Sequence, residues 1–162
     1  MTILRAPHPG QATELSELCL RSKAVWGYDA AFIEACRPSL TLNAEDWTDS
    51  DLQIAVDGDR ILGMAQVRTD GLTSELDKLF VDPQAQAGGV GRKLFDWCVE
   101  TARRRDALVM TIDADPGAAD FYRRMGAIDD GVVASTAIPG RFLPRLKLAL
   151  ADVVTSQTGH DR

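Results

Sequence analysis

The chain has 162 residues, 45% hydrophobic and 26% charged, with a net charge of −6. These values suit one soluble domain with a sizeable core, and the acidic balance argues against nonspecific nucleic-acid binding, which runs on Lys and Arg neutralising phosphates. Apolar stretches far shorter than the roughly 20 residues of a membrane helix, no secretory signal pattern, and Cys19, Cys36 and Cys98 without C-x-x-C spacing point to a cytoplasmic protein with no membrane contact, disulfide framework or metal site.

Ile3-Leu4-Arg5 reads as a first strand ending at Pro7. Leu15, Leu18 and Cys19 then recur at helical spacing, giving a helix from Gln11 to about Lys23. Trp26-Gly27-Tyr28 interrupts the pattern, and Asp29 caps a second helix through Ile33 and Cys36 that Pro38 should stop. A polar loop is expected over 43–50. Strands at 52–56 and 60–68 follow, joined through Asp57-Gly58-Asp59, a hairpin signal.

The next strand, 75–81, closes at Asp82-Pro83 and passes through a glycine-rich turn into a helix carrying Val90, Leu94, Trp97, Cys98 and Ala102 on one face. The nearly continuous apolar run 108–112 reads as a buried strand parallel to its neighbour. Asp115-Pro116 has the pattern of an N-cap and first helical residue, opening a helix that ends at Gly126. Two last strands are expected at 132–137 and 143–150, then a frayed tail from 155 to 162, with 1–154 as the domain.

The glycine turn is the most informative stretch. Glycines admit positive φ and close approach to the backbone, and the following helix turns free N–H groups and its positive pole toward an anion. Gly91 is followed by Arg92-Lys93-Leu94, so a Walker loop, which needs Gly-Lys-Ser/Thr, is excluded. Leu94 stands where a dinucleotide fingerprint needs its third glycine. The hexapeptide Gln86-Ala87-Gly88-Gly89-Val90-Gly91 instead fits Gln/Arg-x-x-Gly-x-Gly/Ala and resembles the pyrophosphate loop of the GCN5-related N-acetyltransferases.

A second stretch extends the resemblance. Asp115 to Ala127, with Ala118, Ala119, Tyr122 and Gly126 in register, resembles that family's Asn-x-x-Ala-x-x-x-Tyr-x-x-x-Gly-Phe helix, with Asp in place of Asn and Ala in place of Phe. The segments Ser22 to Asp29 and Pro139 to Pro144 resemble a bacterial subgroup of the same family. The order strand, two helices, three strands, helix, strand, helix, two strands also looks like its fold. That implies an α/β protein with a mixed sheet of about seven strands flanked by about four helices.

The resemblance implies transfer of acetyl from acetyl-CoA to the amine of a small molecule or peptide, by direct attack in a ternary complex and without metal. It places the phosphates on Gln86, Ala87, Gly88, Gly89, Val90, Gly91 and Arg92, and the pantetheine along Leu79, Phe80 and Val81. Asp115, Ala119, Tyr122 and Arg124 complete the cofactor contacts. Tyr122 is implied as the acid that protonates the leaving thiolate, and Glu75 as the base, with Asp77 as its substitute. Taken alone, Tyr122 reads as a core residue with a buried hydroxyl partner, and Glu75 equally as a surface carboxylate at the start of a strand. Trp26 and Tyr28 either wall the acceptor site, offering a cation–π surface, or pack the structure. A homodimer is expected by analogy, and the rival reading is a noncatalytic acyl-CoA-binding or sensing module on the same fold.

Overall fold

Runs of apolar residues at strand spacing build seven strands: β1 Ile3–Arg5, β2 Asp51–Asp57, β3 Arg60–Asp70, β4 Thr73–Val81, β5 Val109–Asp113, β6 Ile128–Ala134 and β7 Phe142–Ala149. The computed structural model describes residues 1–150, apart from the side chains of Gln86 and Ala87, so the expected tail and domain end at 154 lie outside the described residues. The strands form one sheet in the order β1-β2-β3-β4-β5-β7-β6, where β4 and β5 pair in parallel and the other neighbours are antiparallel. Among the described residues five α-helices accompany it: α1 Ala12–Ala24, α2 Ala30–Leu40, α3 Asp46–Asp49, α4 Val90–Arg104 and α5 Ala119–Arg124.

Two apolar clusters make the core. In α4, Val90, Leu94, Cys98 and Ala102 recur every four residues and are buried against Ala65, Met110, Ile112 and Leu146 of the sheet. Truncating a wholly buried side chain such as Leu94 to Ala costs about 2–5 kcal/mol. Gly63 lets β3 come close beneath this helix: a Cβ there would lie 2.9 Å from the Phe80 carbonyl and 3.0 Å from Leu94 Cδ1. The second cluster joins Leu15, Leu18 and Cys19 of α1 with Cys36 and Leu40 of α2 and with Ile54 and Met64 of the sheet.

Several element boundaries differ from expectation. Pro38 lies inside α2 and does not end it. The helix runs only two residues further, the buried Leu40 anchors its last turn, and Thr41 Oγ1 donates to the Arg37 carbonyl at 2.7 Å. The expected polar loop holds α3, built by polar groups that satisfy one another: Asp46 Oδ2 accepts from Asn43 N, and Ser50 Oγ donates to the Asp46 carbonyl. At Asp115, the carboxylate caps a turn through Gly117 N at 2.9 Å, and α5 begins three residues later than expected. Strand β6 starts at Ile128, its Asp129-Asp130-Gly131 run absorbed by a register break with Gly131 at φ 88°. Residues 135–138 turn instead, with Ser135 Oγ accepting from Ala137 N and Ile138 N.

Two irregularities position the site. The β4–β5 ladder holds only Thr73↔Val109, Ser74↔Met110 and Glu75↔Thr111, while β5 stays paired to β7 through Asp113↔Arg145 and β4 to β3 through Val81↔Gly63. The parallel strands therefore part in the middle of the sheet. In addition, Val67 pairs with Leu76 but Gln66 with Lys78, so Asp77 is an extra residue bulging from β4. The bulge breaks the alternation. Leu76 packs toward α4, whereas Phe80 packs with the α1–α2 cluster and Lys78 reaches Asp77, its immediate neighbour.

Candidate active site

Where β4 and β5 separate lies a cleft of about 840 Å³. Gly89, Gly91, Arg92 and Arg124 line one part of it. Gly89 is the N-cap of α4 at φ 72° and brings no side-chain cap, so the amides of Val90, Gly91 and Arg92 have no partner within the helix. With the helix pole behind them, these donors form a cradle suited to phosphate. The Val90 side chain is buried in the core, leaving only its backbone for such a role. The chain reaches the cradle through a 3-10 turn, Pro83–Gly88, in which Asp82 accepts from Gln84 N at 2.9 Å.

Leu79, Phe80 and Val81 line the cleft on the stretch of β4 that β5 has left. Tyr122 enters from α5, its ring against Phe121 at 5.2 Å and Phe95 at 5.9 Å between centroids. Only 6% of Tyr122 is exposed, and its hydroxyl has no hydrogen-bond partner among the described residues. Burial pushes its pKa up, so the hydroxyl keeps its proton. Ala118 lines the cleft beside it, whereas Ala119 packs into the core.

Glu75, Asp77 and Lys78 line the cleft where the strands begin to part. Partial burial raises the Glu75 pKa, and the Asp77 and Asp113 carboxylates raise it further. Glu75 makes no hydrogen bond or ion pair among the described residues, whereas Asp113 is held by both arms of Arg145 at 2.7 and 3.1 Å. Asp77 accepts from Lys78 Nζ at 3.2 Å and faces Arg68 at 3.5 Å. Lys78 is buried, and it also donates to Gln66 Oε1 at 3.0 Å, whose amide donates to Asp46.

Trp26 lines the cleft and packs on the turn before α5, where a Cβ on Gly117 would come within 2.7 Å of its ring. Tyr28 lies off the cleft wall. Its ring stacks on Phe32 at 4.0 Å, its hydroxyl donates to Asp115 Oδ2 at 2.8 Å, and Arg141 donates to that hydroxyl. Lys23 reaches the same carboxylate oxygen at 3.3 Å. Although burial works against its charge, bonds from Gly117 N, Tyr28 and Lys23 hold the Asp115 pKa below the usual carboxylate range.

The arrangement thus brings Glu75, Leu79, Phe80, Val81, Gly89, Gly91, Arg92, Tyr122, Arg124 and Trp26 to one cleft. No local pattern singles out Lys78, Asp113 or Arg145, and Lys23 stands in the sequence only as part of the 22–29 segment. One signal is present in the sequence: Asp77-Lys78 puts two charges side by side between the apolar Leu76 and Leu79, where strict alternation would place one, as a bulge would.

A family model for an acetyltransferase (GNAT) domain matches residues 19–133. A soybean protein, histone acetyltransferase TAP1, is 32% identical over 68 residues, which make up 41% of this chain and 29% of that protein. The chain therefore matches less than a third of that relative's length. Among solved structures, a GCN5-related N-acetyltransferase from Rhodopseudomonas palustris superposes with a TM-score of 0.76 at 23% identity, over 93% of this chain and 96% of that one. The PaiA N-acetyltransferase of Thermoplasma acidophilum, solved in complex with coenzyme A, gives 0.74 at 12% identity, over 92% and 99%. At these identities the two structures establish the likeness of fold.

Proposed function

The chain belongs to the acetyltransferase (GNAT) domain family, and on that premise we propose that it moves an acetyl group from acetyl-CoA to an amine of a small molecule or peptide, by direct attack within a ternary complex. The observation that carries this reading is the parting of β4 from β5 beyond Glu75↔Thr111, which joins the uncapped start of α4 to Tyr122 and Glu75 in one cleft.

The residues present fit acetyl-CoA. The amides at the start of α4, with Arg92 and Arg124, would hold its phosphates, and the unpaired flank of β4 at Leu79–Val81 would hold the pantetheine as an added strand. Bound there, acetyl-CoA supplies the acyl group and a thiol leaving group. The bulge at Asp77 frees backbone donors from the ladder near the start of that flank, where a thioester oxygen needs them.

Glu75 takes the proton from the acceptor ammonium. Its raised pKa makes it a stronger base than an ordinary glutamate, and no ion pair competes for it among the described residues. Tyr122 gives its proton to the departing sulfur. Burial holds that proton in place until a thiolate forms beside it, and the same water-poor surroundings raise the sulfur's own affinity for it. Asp115 serves in this reading through its turn and its partners, since its carboxylate is already engaged.

The likeness of 22–29 and 139–144 to a bacterial subgroup, together with three cysteines buried as free thiols, supports the cytoplasm as the compartment. A homodimer belongs to the same reading by analogy alone. Calorimetry with CoA followed by thiol release from acetyl-CoA across a set of amines tests the function. CoA binding without thiol release from any amine would favour the noncatalytic acyl-CoA-binding module.

A further inference from the structure

The Asp115 carboxylate gathers more positive charge than it neutralises. Lys23 and Arg141 lie 3.3 and 3.5 Å from its Oδ2, and both side chains also line the cleft. The Arg141 guanidinium lies against a stacked pair of rings, its centre 5.0 Å from the Tyr28 centroid and 4.8 Å from that of Phe32. Only its Nη2 finds protein partners, Tyr28 Oη and Asp115, so the donors on Nε and Nη1 are unspent among the described residues. Among the described residues Lys23 Nζ bonds only Asp115. A planar guanidinium tethered through Nη2, with its remaining donors unspent and an ammonium sharing its counter-ion, suits a carboxylate. Two cations against one carboxylate leave a single positive charge, which matches one carboxylate better than a phosphate dianion.

Elsewhere on the same cleft stands Glu75, a carboxylate with no protein partner among the described residues. The positive charges offered to CoA, Arg92 and Arg124, belong to the α4–α5 part, whereas Lys23 and Arg141 come from the end of α1 and the β6–β7 loop. Resting on the acetyltransferase reading above, we infer that the acceptor is a small amine that also bears a carboxylate, its ammonium received by Glu75 and its carboxylate by Arg141 with Lys23. The two recognition groups act as a ruler. Acceptors of the right separation engage both, and a carboxamide in place of the carboxylate leaves Arg141 unmatched.

The test titrates CoA-saturated protein by calorimetry with the free L-amino acids, with the ω-amino acids from glycine to 6-aminohexanoate, with the amide of each, and with O-phosphoethanolamine. Thiol release from acetyl-CoA is measured on the same set. At least one acid should bind about tenfold or more tightly than its amide, the scale of a charge-assisted hydrogen bond. Arg141→Gln should abolish that difference while leaving CoA affinity unchanged. Arg141→Lys retains the charge without the fork, and its loss of acid-over-amide preference carries the test if the Gln variant does not fold. The inference is overturned if no acid is preferred to its amide, if O-phosphoethanolamine is preferred to β-alanine, or if the variants weaken acid and amide alike. Thiol release without an acid preference overturns this inference and leaves the acetyltransferase reading standing. A bound acid with no thiol release from any member overturns the acetyltransferase reading, and with it the acceptor role, and leaves Arg141 and Lys23 as a carboxylate-binding site only.

Discussion

Glu75 on β4 and Thr111 on β5 form the last rung of the parallel ladder between their strands. One residue further, neither strand has the other as a partner, and the cleft begins. The carboxylate proposed as base therefore sits at the apex of the opening, on backbone held from both sides, through Arg68 on β3 and Thr111 on β5. Rigid strands position a reacting group more closely than a loop does.

Glu75→Gln is expected to lower turnover by about 100-fold or more near neutral pH. For an alkyl amine acceptor, with a reference pKa of about 10.4, rising pH supplies the neutral amine and partly rescues the variant. In the wild type the raised Glu75 pKa puts the acid limb of kcat/KM above the ordinary glutamate value of about 4.3. Activity is thus lost as pH falls through that raised value. Asp113→Asn removes one repelling carboxylate and should move the limb to lower pH. A pH–rate profile unchanged by Glu75→Gln would assign the proton to Asp77, to a water path or to an acceptor that arrives neutral.

Tyr122→Phe should fold and bind CoA like the wild type, because the hydroxyl has no protein partner to lose among the described residues and the ring keeps its packing on Phe95 and Phe121. Turnover should fall by about 100-fold where chemistry limits the rate. A fall of less than a few-fold across the pH range returns Tyr122 to packing alone.

Gly89→Glu should abolish measurable CoA binding in calorimetry, since it adds negative charge to the cradle. A Cβ at this position meets no atom within 4 Å, so lost packing is not the cause. The φ of 72° still costs a side chain about 1–2 kcal/mol. Gly89→Asn, which tolerates that conformation better, separates the two effects: it should keep the melting temperature and weaken CoA less. Undiminished affinity in the Glu variant would remove the phosphates from this loop.

Asp115→Asn should lower stability by about 1–3 kcal/mol at neutral pH, the cost of unpairing charged hydrogen bonds in a partly buried network. The folded-state pKa of Asp115 is depressed, so its contribution is present above the unfolded value of about 3.9 and is lost as pH falls through the folded one. Melting temperatures of the two proteins should therefore converge in acid. A gap that stays constant from neutral pH into acid would show that the charge contributes nothing.

Periodicity made most of the fold legible, because α4 and the sheet each bury one regular face. What escaped it was structure held by polar groups. The short α3 reads as loop because Asn43, Asp46 and Ser50 look solvated, yet they bond one another and Asp46 is buried under Gln66 and Arg68. Asp115 has the chemistry of a helix N-cap, but three partners from distant segments claim its second oxygen and the chain turns once before α5 starts. At the site, the glycine cradle and Tyr122 were readable as motifs. The bulge at Asp77 and the Asp113–Arg145 pair depend on which strands adjoin, which no local pattern records.

The bonds that converge on Asp115 tie residues 23, 28 and 141 to the position where the motif this helix resembles has asparagine. An asparagine there offers no charge to hold two cations, so lineages with the amide are released from keeping Lys23 and Arg141, and those with the carboxylate are not. The four positions should be inherited together. Chains that descend with all of them form a group expected to share one acceptor, and sorting relatives by the residue at 115 would divide the family by what it acetylates before any of them is assayed.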